Sequence, residues 1–510
     1  MSTRGSHNSA AGLLITNVDV VDGLGTPVQR RDVLVADGRI AAIAEPGDAP
    51  SSFPATGDGG PRVVDGGGRV LSPGFIDVHT HDDAAVLTDP TMLCKTSQGV
   101  TTVVLGNCGI GLAPHSEALG RHLTGELAAV LGYAIAQRPT GYGDYLRLLH
   151  QSPSALNRAG LVPHGALRLA AMGDAARAAD EAEIDAMCDL LTAALEAGAV
   201  GMSTGLVYHP GRYAQSRELQ RLCEVLAVQG AIYVSHIRDE GARVRESISE
   251  VLTLGRGTGC RVHVSHLKAT GPDGIDRMRR ALDDIHAAAE AGVPVTFDVY
   301  PYTSGSTALE PALRAATSSA ASPRAVRVIS APDLRELEGR YLADLAEEWG
   351  TTQEQAVALI AERDNSVTAV IEMMSPDTVA AALASPLAMI GSDGLPNPRG
   401  RTHPRMFGTF PRVLGRYVRP KGSLDLVDVI RRMTSLPAQR FGLLDRGAIQ
   451  VGGCADLVLF DPVAVRDRAT HEEPDLLADG IEMVIVNGAV TVERQTPSAA
   501  LAGDVLVRRS

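Results

Sequence analysis

Apolar and polar positions alternate in two regimes along this chain. At the N-terminal end LLITNVDVVDG and RDVLVADGRIAAIAE change character every second residue and break at Asp22-Gly23 and Asp37-Gly38, the pattern of antiparallel hairpins. CADLVLFDP and EMVIVNGAV, with a turn at Asn487-Gly488, repeat that pattern near the C-terminal end, and the two ends are expected to share one sheet. Between them the alternation disappears. Short apolar runs follow one another: FIDVHTH, VTTVVLGNC, LVPHGAL, GAVGMSTGL, AIYVSHIR, RVHVSHLK, PVTFDVYPY and LAMIGSDG. Ala- and Leu-rich helical stretches separate them, such as DEAEIDAMCDLLTAALEAG and GIDRMRRALDDIHAAAEAG, each stopping at a glycine.

Runs that are apolar throughout suit strands buried on both faces, and crossover helices between them imply parallel pairing. Eight such units predict a (β/α)8 TIM-like barrel over residues 73–444, with a small β-sandwich built from residues 1–72 and 445–510. An open doubly wound sheet is the competing arrangement. It would leave the polar residues at the run ends without a common focus, whereas a barrel gathers them at one mouth. The link after VYPYTSGST is long enough to be a lid at about residues 303–366, with helical patterns in LRELEGRYLADLAEEWG and TTQEQAVALIAER. The second opens on a Thr351/Glu354 capping box.

Composition narrows the class. A chain of 510 residues with 45% hydrophobic and 21% charged residues buries a large core, and 53 Gly and 29 Pro are scattered as turn punctuation. The formal charge of −13, with no dense Lys/Arg block, argues against a nucleic-acid partner. MSTRGSHNSA has no signal-peptide core, and no stretch reaches the roughly 20 apolar residues that span a bilayer. Six cysteines without CxxC pairing suit a reducing compartment, and the expectation is a cytoplasmic protein without a membrane partner.

The chemistry lies at the run ends. His79 and His81, two apart on a strand, project to one face and can grip one ion, although an isolated HxH is more often ordinary histidine. Cys108, His236, His266 and Asp393 close four further runs. Each alone has a bland structural reading, but six such residues at successive strand ends match the donors zinc accepts. Arg238 and Lys268, two past His236 and His266, are either mouth cations for an anionic substrate or solvated loop residues. His263 reads as structural, and His164 stays undecided.

Nearly the whole chain resembles the amidohydrolase superfamily and, within it, the D-aminoacylases (N-acyl-D-amino-acid deacylases). LSPGFIDVHTHDD, TTVVLGNCGIG, STGLVYHPG, HVSHLKATG, IGSDGLP and HPRMFGTFPRVLGRY carry the resemblance, with GNCG, SHLKATG and HPR its most specific parts. It implies zinc-dependent hydrolysis of the N-acyl amide of a small N-acyl-D-amino acid. Cys108 and His236 would hold a tight Zn2+, and His79, His81 and His266 a weaker second site. Asp393 would be the general base, with the substrate carboxylate on Lys268 and Arg405 near Tyr208, Tyr300 and Ser306. GLPNPRGRT departs from the family pattern and offers Arg399 and Arg401 as rivals to Arg405. Two other readings stand beside this one: a cyclic-amide hydrolase of the hydantoinase or dihydroorotase kind, and a non-catalytic protein on the same fold.

Overall fold

The computed structural model describes residues 12–48, 61–125, 127–132, 136–318, 322, 324–418 and 422–508. The MSTRGSHNSA terminus lies outside them.

All eight apolar runs form strands: β1 (Phe75–Asp77), β2 (Val100–Leu105), β3 (Asn157–Pro163), β4 (Gly201–Gly205), β5 (Ile232–His236), β6 (Arg261–Val264), β7 (Val295–Val299) and β8 (Ala388–Ile390). They pair in parallel in that order, each with the next. The seam between β8 and β1 is closed just past the strands. There Asp393 N–H donates to the His79 carbonyl (2.7 Å) and His81 N–H to that of Gly394 (3.0 Å). Ile76, Val78, Val104, Leu161, Ile232, Val234 and Met389 fill an inner core, and the crossover helices bury their apolar faces against the outside of the barrel. The helix Glu181–Glu196 starts on an Asp180/Glu183 capping box and runs to the turn at Gly198.

The two chain ends meet in one sheet of nine strands. Leu13–Val20 pairs with Val70–Pro73, which pairs with Leu457–Phe460 from the other end of the chain. Ile15, Val33, Leu71, Leu457, Met483 and Ile485 share its core, so the expected sandwich is one continuous sheet drawn from both termini. Asp37-Gly38 and Asn487-Gly488 are tight turns with positive φ at both residues, as a two-residue hairpin requires. Asp22-Gly23 instead opens a longer loop before the strand Gln29–Ala36, in which the Asp22 carboxylate accepts from Leu24 N–H (2.8 Å).

The long link after β7 is more structured than its two helical patterns suggest. Strands Ser304–Ala308, Val326–Ser330 and Thr368–Glu372 form an antiparallel sheet covered by helices Leu309–Ser318, Leu342–Glu348 and Gln353–Arg363, around a separate apolar core. Its last helix is capped by Thr352 and Gln355, one residue beyond the Thr351/Glu354 register. Among the described residues no helix is long and apolar enough to cross a membrane.

Candidate metal centre and its cavity

The strand ends place six donors at the barrel mouth. His79 and His81 follow β1, Cys108 follows β2, His236 ends β5, His266 follows β6 and Asp393 follows β8. All six are buried. Cys108 is central: its Sγ lies 3.3 Å from His79 Nε2, 3.6 Å from His236 Nδ1 and 3.5 Å from His266 Nε2. Asp393 Oδ1 lies 3.6 Å from His79 Nε2 and 3.4 Å from His81 Nε2.

Backbone strain aims three of the six. Cys108 (φ 54°), His266 (φ 33°) and Asp393 (φ 49°) all occupy the left-handed region, which L-residues enter only when the surroundings impose it. The flanking glycines allow this. Gly106 (φ 77°) faces the Leu161 carbonyl and Gly205 the Cys108 carbonyl so closely that no side chain fits at either position.

Each half of the cluster faces a carboxylate, Asp298 fully buried and Glu240 largely so. Asp298 on β7 takes His79 Nδ1 (3.2 Å) and His263 Nε2 (2.9 Å), so His263 is structural through the carboxylate that it shares with His79. Glu240 lies 3.0 Å from both His266 Nδ1 and Lys268 Nζ. Sequence reasoning missed Glu240 and Asp298. Their only advance signals are their placement, in the loop after His236 and on the strand that ends just before Tyr300.

Charge is balanced across these contacts. Burial alone would push the Cys108 thiol up, but His79, His266 and His236 hold it well below the ordinary thiol value. Burial opposes ionisation of Asp393 as well, yet the Arg405 guanidinium and the histidines keep it well below the usual carboxylate range. His81 is raised to about 9 against the effect of burial, by Asp393 and Cys108. Beneath the site Lys95 Nζ, fully buried, bonds Asp77 (2.8 Å) and Ser392 Oγ (2.6 Å) and so fixes the segment carrying Asp393.

The donors suit zinc. Zn–S bonds of ~2.3 Å and Zn–N bonds of ~2.0 Å at tetrahedral angles separate sulfur from nitrogen by roughly 3.5 Å. The Cys108 contacts with His236 and His266, 3.6 and 3.5 Å, match that edge. His266 Nε2 also lies 2.9 Å from His236 Nδ1, and the donor atoms of His79, Cys108 and His266 lie within 4.8 Å of one another, as do those of His79, His81 and Asp393.

A cavity of about 340 Å³ opens over the cluster. Lys268, Arg405, Tyr208, Tyr300 and Ser306 all line it. Arg405 Nη1 lies 2.8 Å from Asp393 Oδ2 and its Nη2 donates to the Ser306 carbonyl (2.9 Å). Both cations flank the Tyr300 ring, Arg405 at 4.8 Å and Lys268 at 5.6 Å from its centroid. The Tyr300 hydroxyl and Arg405 Nε are buried without a hydrogen-bond partner. Tyr208 meets the His236 ring edge-on at 5.0 Å. Arg399 turns away to Asp333 (3.4 Å), and neither it nor Arg401 reaches the cavity. Arg238 lines the cavity but is held by Glu250 (2.9 Å), and His164 is a buried partner of Glu218 (2.7 Å).

Residues 62–492 match the amidohydrolase family. The chain is 42% identical to the N-acyl-D-glutamate deacylase of Alcaligenes xylosoxydans xylosoxydans over 95% of its own length and 94% of that protein's. It is 40% identical to the D-aminoacylase of the same organism, over 99% of both chains. Among solved structures, N-acyl-D-glutamate deacylase from Bordetella bronchiseptica, complexed with zinc and a phosphonate mimic of the tetrahedral intermediate, superposes with a TM-score of 0.86. That likeness has 42% identity and covers 97% of this chain and 99% of that one. A family match over most of the chain, a shared fold and alignment with D-aminoacylases over almost its whole length converge on one conclusion: the chain belongs to the amidohydrolase family, in its D-aminoacylase branch.

Proposed function

We propose that this protein hydrolyses the N-acyl amide bond of N-acyl-D-amino acids, giving a carboxylate and a free D-amino acid. The observation that carries the reading is the meeting, at one cavity, of a Cys108-centred donor cluster with the Lys268 and Arg405 cations and a Tyr300 hydroxyl that lacks a hydrogen-bond partner. The likeness to deacylases of N-acyl-D-glutamate and to D-aminoacylase supplies the substrate class.

Cys108, His236 and His266 would hold the tighter zinc, and His79, His81 and Asp393, with Cys108 between the two sets, a second ion. A thiolate donates more charge than an imidazole, which favours the cysteine-bearing set. When bound, zinc lowers the pKa of water to about 7 and polarises a carbonyl oxygen. The chain's own groups do the rest. Asp393, kept ionised by Arg405, accepts the proton of the attacking water and passes it to the amide nitrogen as the C–N bond breaks. Lys268, Arg405, Tyr300 and Ser306 hold the α-carboxylate and so fix the scissile carbonyl relative to Asp393. Gly305, Thr307, Arg314 and Met373 from the inserted unit form one wall of the cavity, which supports its reading as a lid that excludes water.

Initial rates on N-acetyl forms of D-Glu, D-Asp, D-Met and D-Phe, their L-enantiomers and a hydantoin test the reading. Turnover of at least one D-substrate with its L-enantiomer and the hydantoin inert is expected. Preferential ring opening of the hydantoin would replace this function with a cyclic-amide hydrolase.

A further inference from the structure

Beside the mouth, outside the donor cluster and the residues lining its cavity, a second convergence of metal-ligating groups stands on three separate segments. His122 comes from the helix Glu117–Thr124, Asp174 from the loop after the helix His164–Met172, and His209 from the turn that follows β4. His122 Nε2 lies 2.9 Å and His209 Nε2 2.5 Å from the same Asp174 oxygen, and the two imidazoles stack at 5.2 Å between centroids. All three donor atoms lie within 4.8 Å of one another.

The geometry points to a divalent-cation site made by His122, Asp174 and His209, separate from the catalytic centre, that pins the turn carrying Tyr208. Two imidazoles and one carboxylate are a ligand set that zinc and similar borderline ions accept, with water completing the coordination. Exposure suits that arrangement: the histidine side chains are 15% and 17% exposed and Asp174 44%, so an ion can enter and keep a water ligand. Arg212, the nearest guanidinium on that turn, is engaged over the Tyr213 ring at 4.9 Å rather than paired with Asp174. A cation is also favoured at the C-terminal end of the helix bearing His122. The ion would join three segments far apart in sequence. His209 immediately follows Tyr208, which meets His236 in the mouth, so occupancy restrains a residue of the substrate cavity.

The test uses the holoenzyme with its catalytic metal retained and free zinc buffered in the low micromolar range. Zinc content, calorimetric titration with zinc alone, and hydrogen exchange of residues 206–213 are compared between wild type, Asp174→Asn and His122→Ala/His209→Ala. The expected result is one more equivalent of zinc in wild type than in either variant, with slower exchange of that turn on loading in wild type only. Anomalous diffraction at the zinc edge should place the extra ion among the three side chains. Equal zinc content in wild type and both variants would overturn the proposal, as would an anomalous map blank at these residues. Asp174→Asn changes a half-exposed side chain and serves as the reporter if the double variant folds poorly.

Discussion

The mouth of the barrel contains two carboxylate–cation pairs that look alike and face different neighbours. Asp393 pairs with Arg405 at 2.8 Å on the His79/His81 side, and Glu240 pairs with Lys268 at 3.0 Å on the His236/His266 side. Both carboxyls are held below their ordinary range, Asp393 first by Arg405 and Glu240 first by Lys268, in each case against the cost of burial. They differ in what else they face. Asp393 sits at a strained φ with an oxygen 3.4 Å from His81 Nε2, in the space where metal and water would meet. Glu240 faces Nδ1 of His266, the side of the ring away from Cys108, so it orients the donor. On the proposed function, similar ionisation serves proton transfer at Asp393 and positioning at Glu240.

The sharpest way to break that distinction is Asp393→Asn. Turnover should fall by a factor of about 10²–10⁴ or more, with the zinc at Cys108, His236 and His266 retained. Near-normal kcat in the zinc-replete variant would remove Asp393 from the chemistry. Glu240→Gln should cost less, about 10–100-fold in metal affinity or activity, because the ring of His266 loses its orienting partner. A loss as large as that of Asp393→Asn, with zinc fully bound, would erase the contrast. Lys268→Met removes a charge-assisted contact of roughly 1.5–3 kcal/mol, and the loss should shrink sharply on an N-acyl amine that lacks a carboxylate. Equal losses on both substrates would show that Lys268 does not read the carboxylate.

Much of this was legible before the structure, and the reasons are physical. Strands buried on both faces must be apolar throughout, so all eight barrel runs could be read. Metal donors must lie where the strands end, so His79, His81, Cys108, His236, His266 and Asp393 could be picked out together. Glu240 could not, because an acidic residue in RDEG reads as an ordinary loop residue until the fold brings it to His266. The period-two argument says less past a strand end: β5 stops at His236, and Arg238, although it lines the cavity with Lys268, is tied to Glu250. The short strands of the inserted unit, such as VRVIS and TAVIE, stand between helices as barrel strands do, and only their antiparallel pairing in the folded chain sets them apart. Adjacent threonines at 351 and 352 offered two capping registers, and only the packed helix chose between them.

A third buried group tests the contrast most gently. Glu218 joins His164 (2.7 Å) and Arg168 away from the cavity. Burial opposes its charge, but His164 and Arg168 hold its folded pKa low. A depressed carboxylate contributes stability above its unfolded value near 4.3, and that contribution is lost as pH falls through the lower folded value. Glu218→Gln should destabilise the fold by about 3–5 kcal/mol at neutral pH and leave the kcat of the folded fraction unchanged, as urea unfolding and active-site-normalised rates would show.

Dependence of amide hydrolysis on metal held by the Cys108 cluster is the first requirement of the proposed function. It is tested most directly by measuring turnover of an N-acetyl-D-amino acid against zinc content as the protein is stripped by chelation and then reloaded. Activity should vanish with the metal and return with the first equivalent of zinc. Full turnover in rigorously metal-free protein would contradict it.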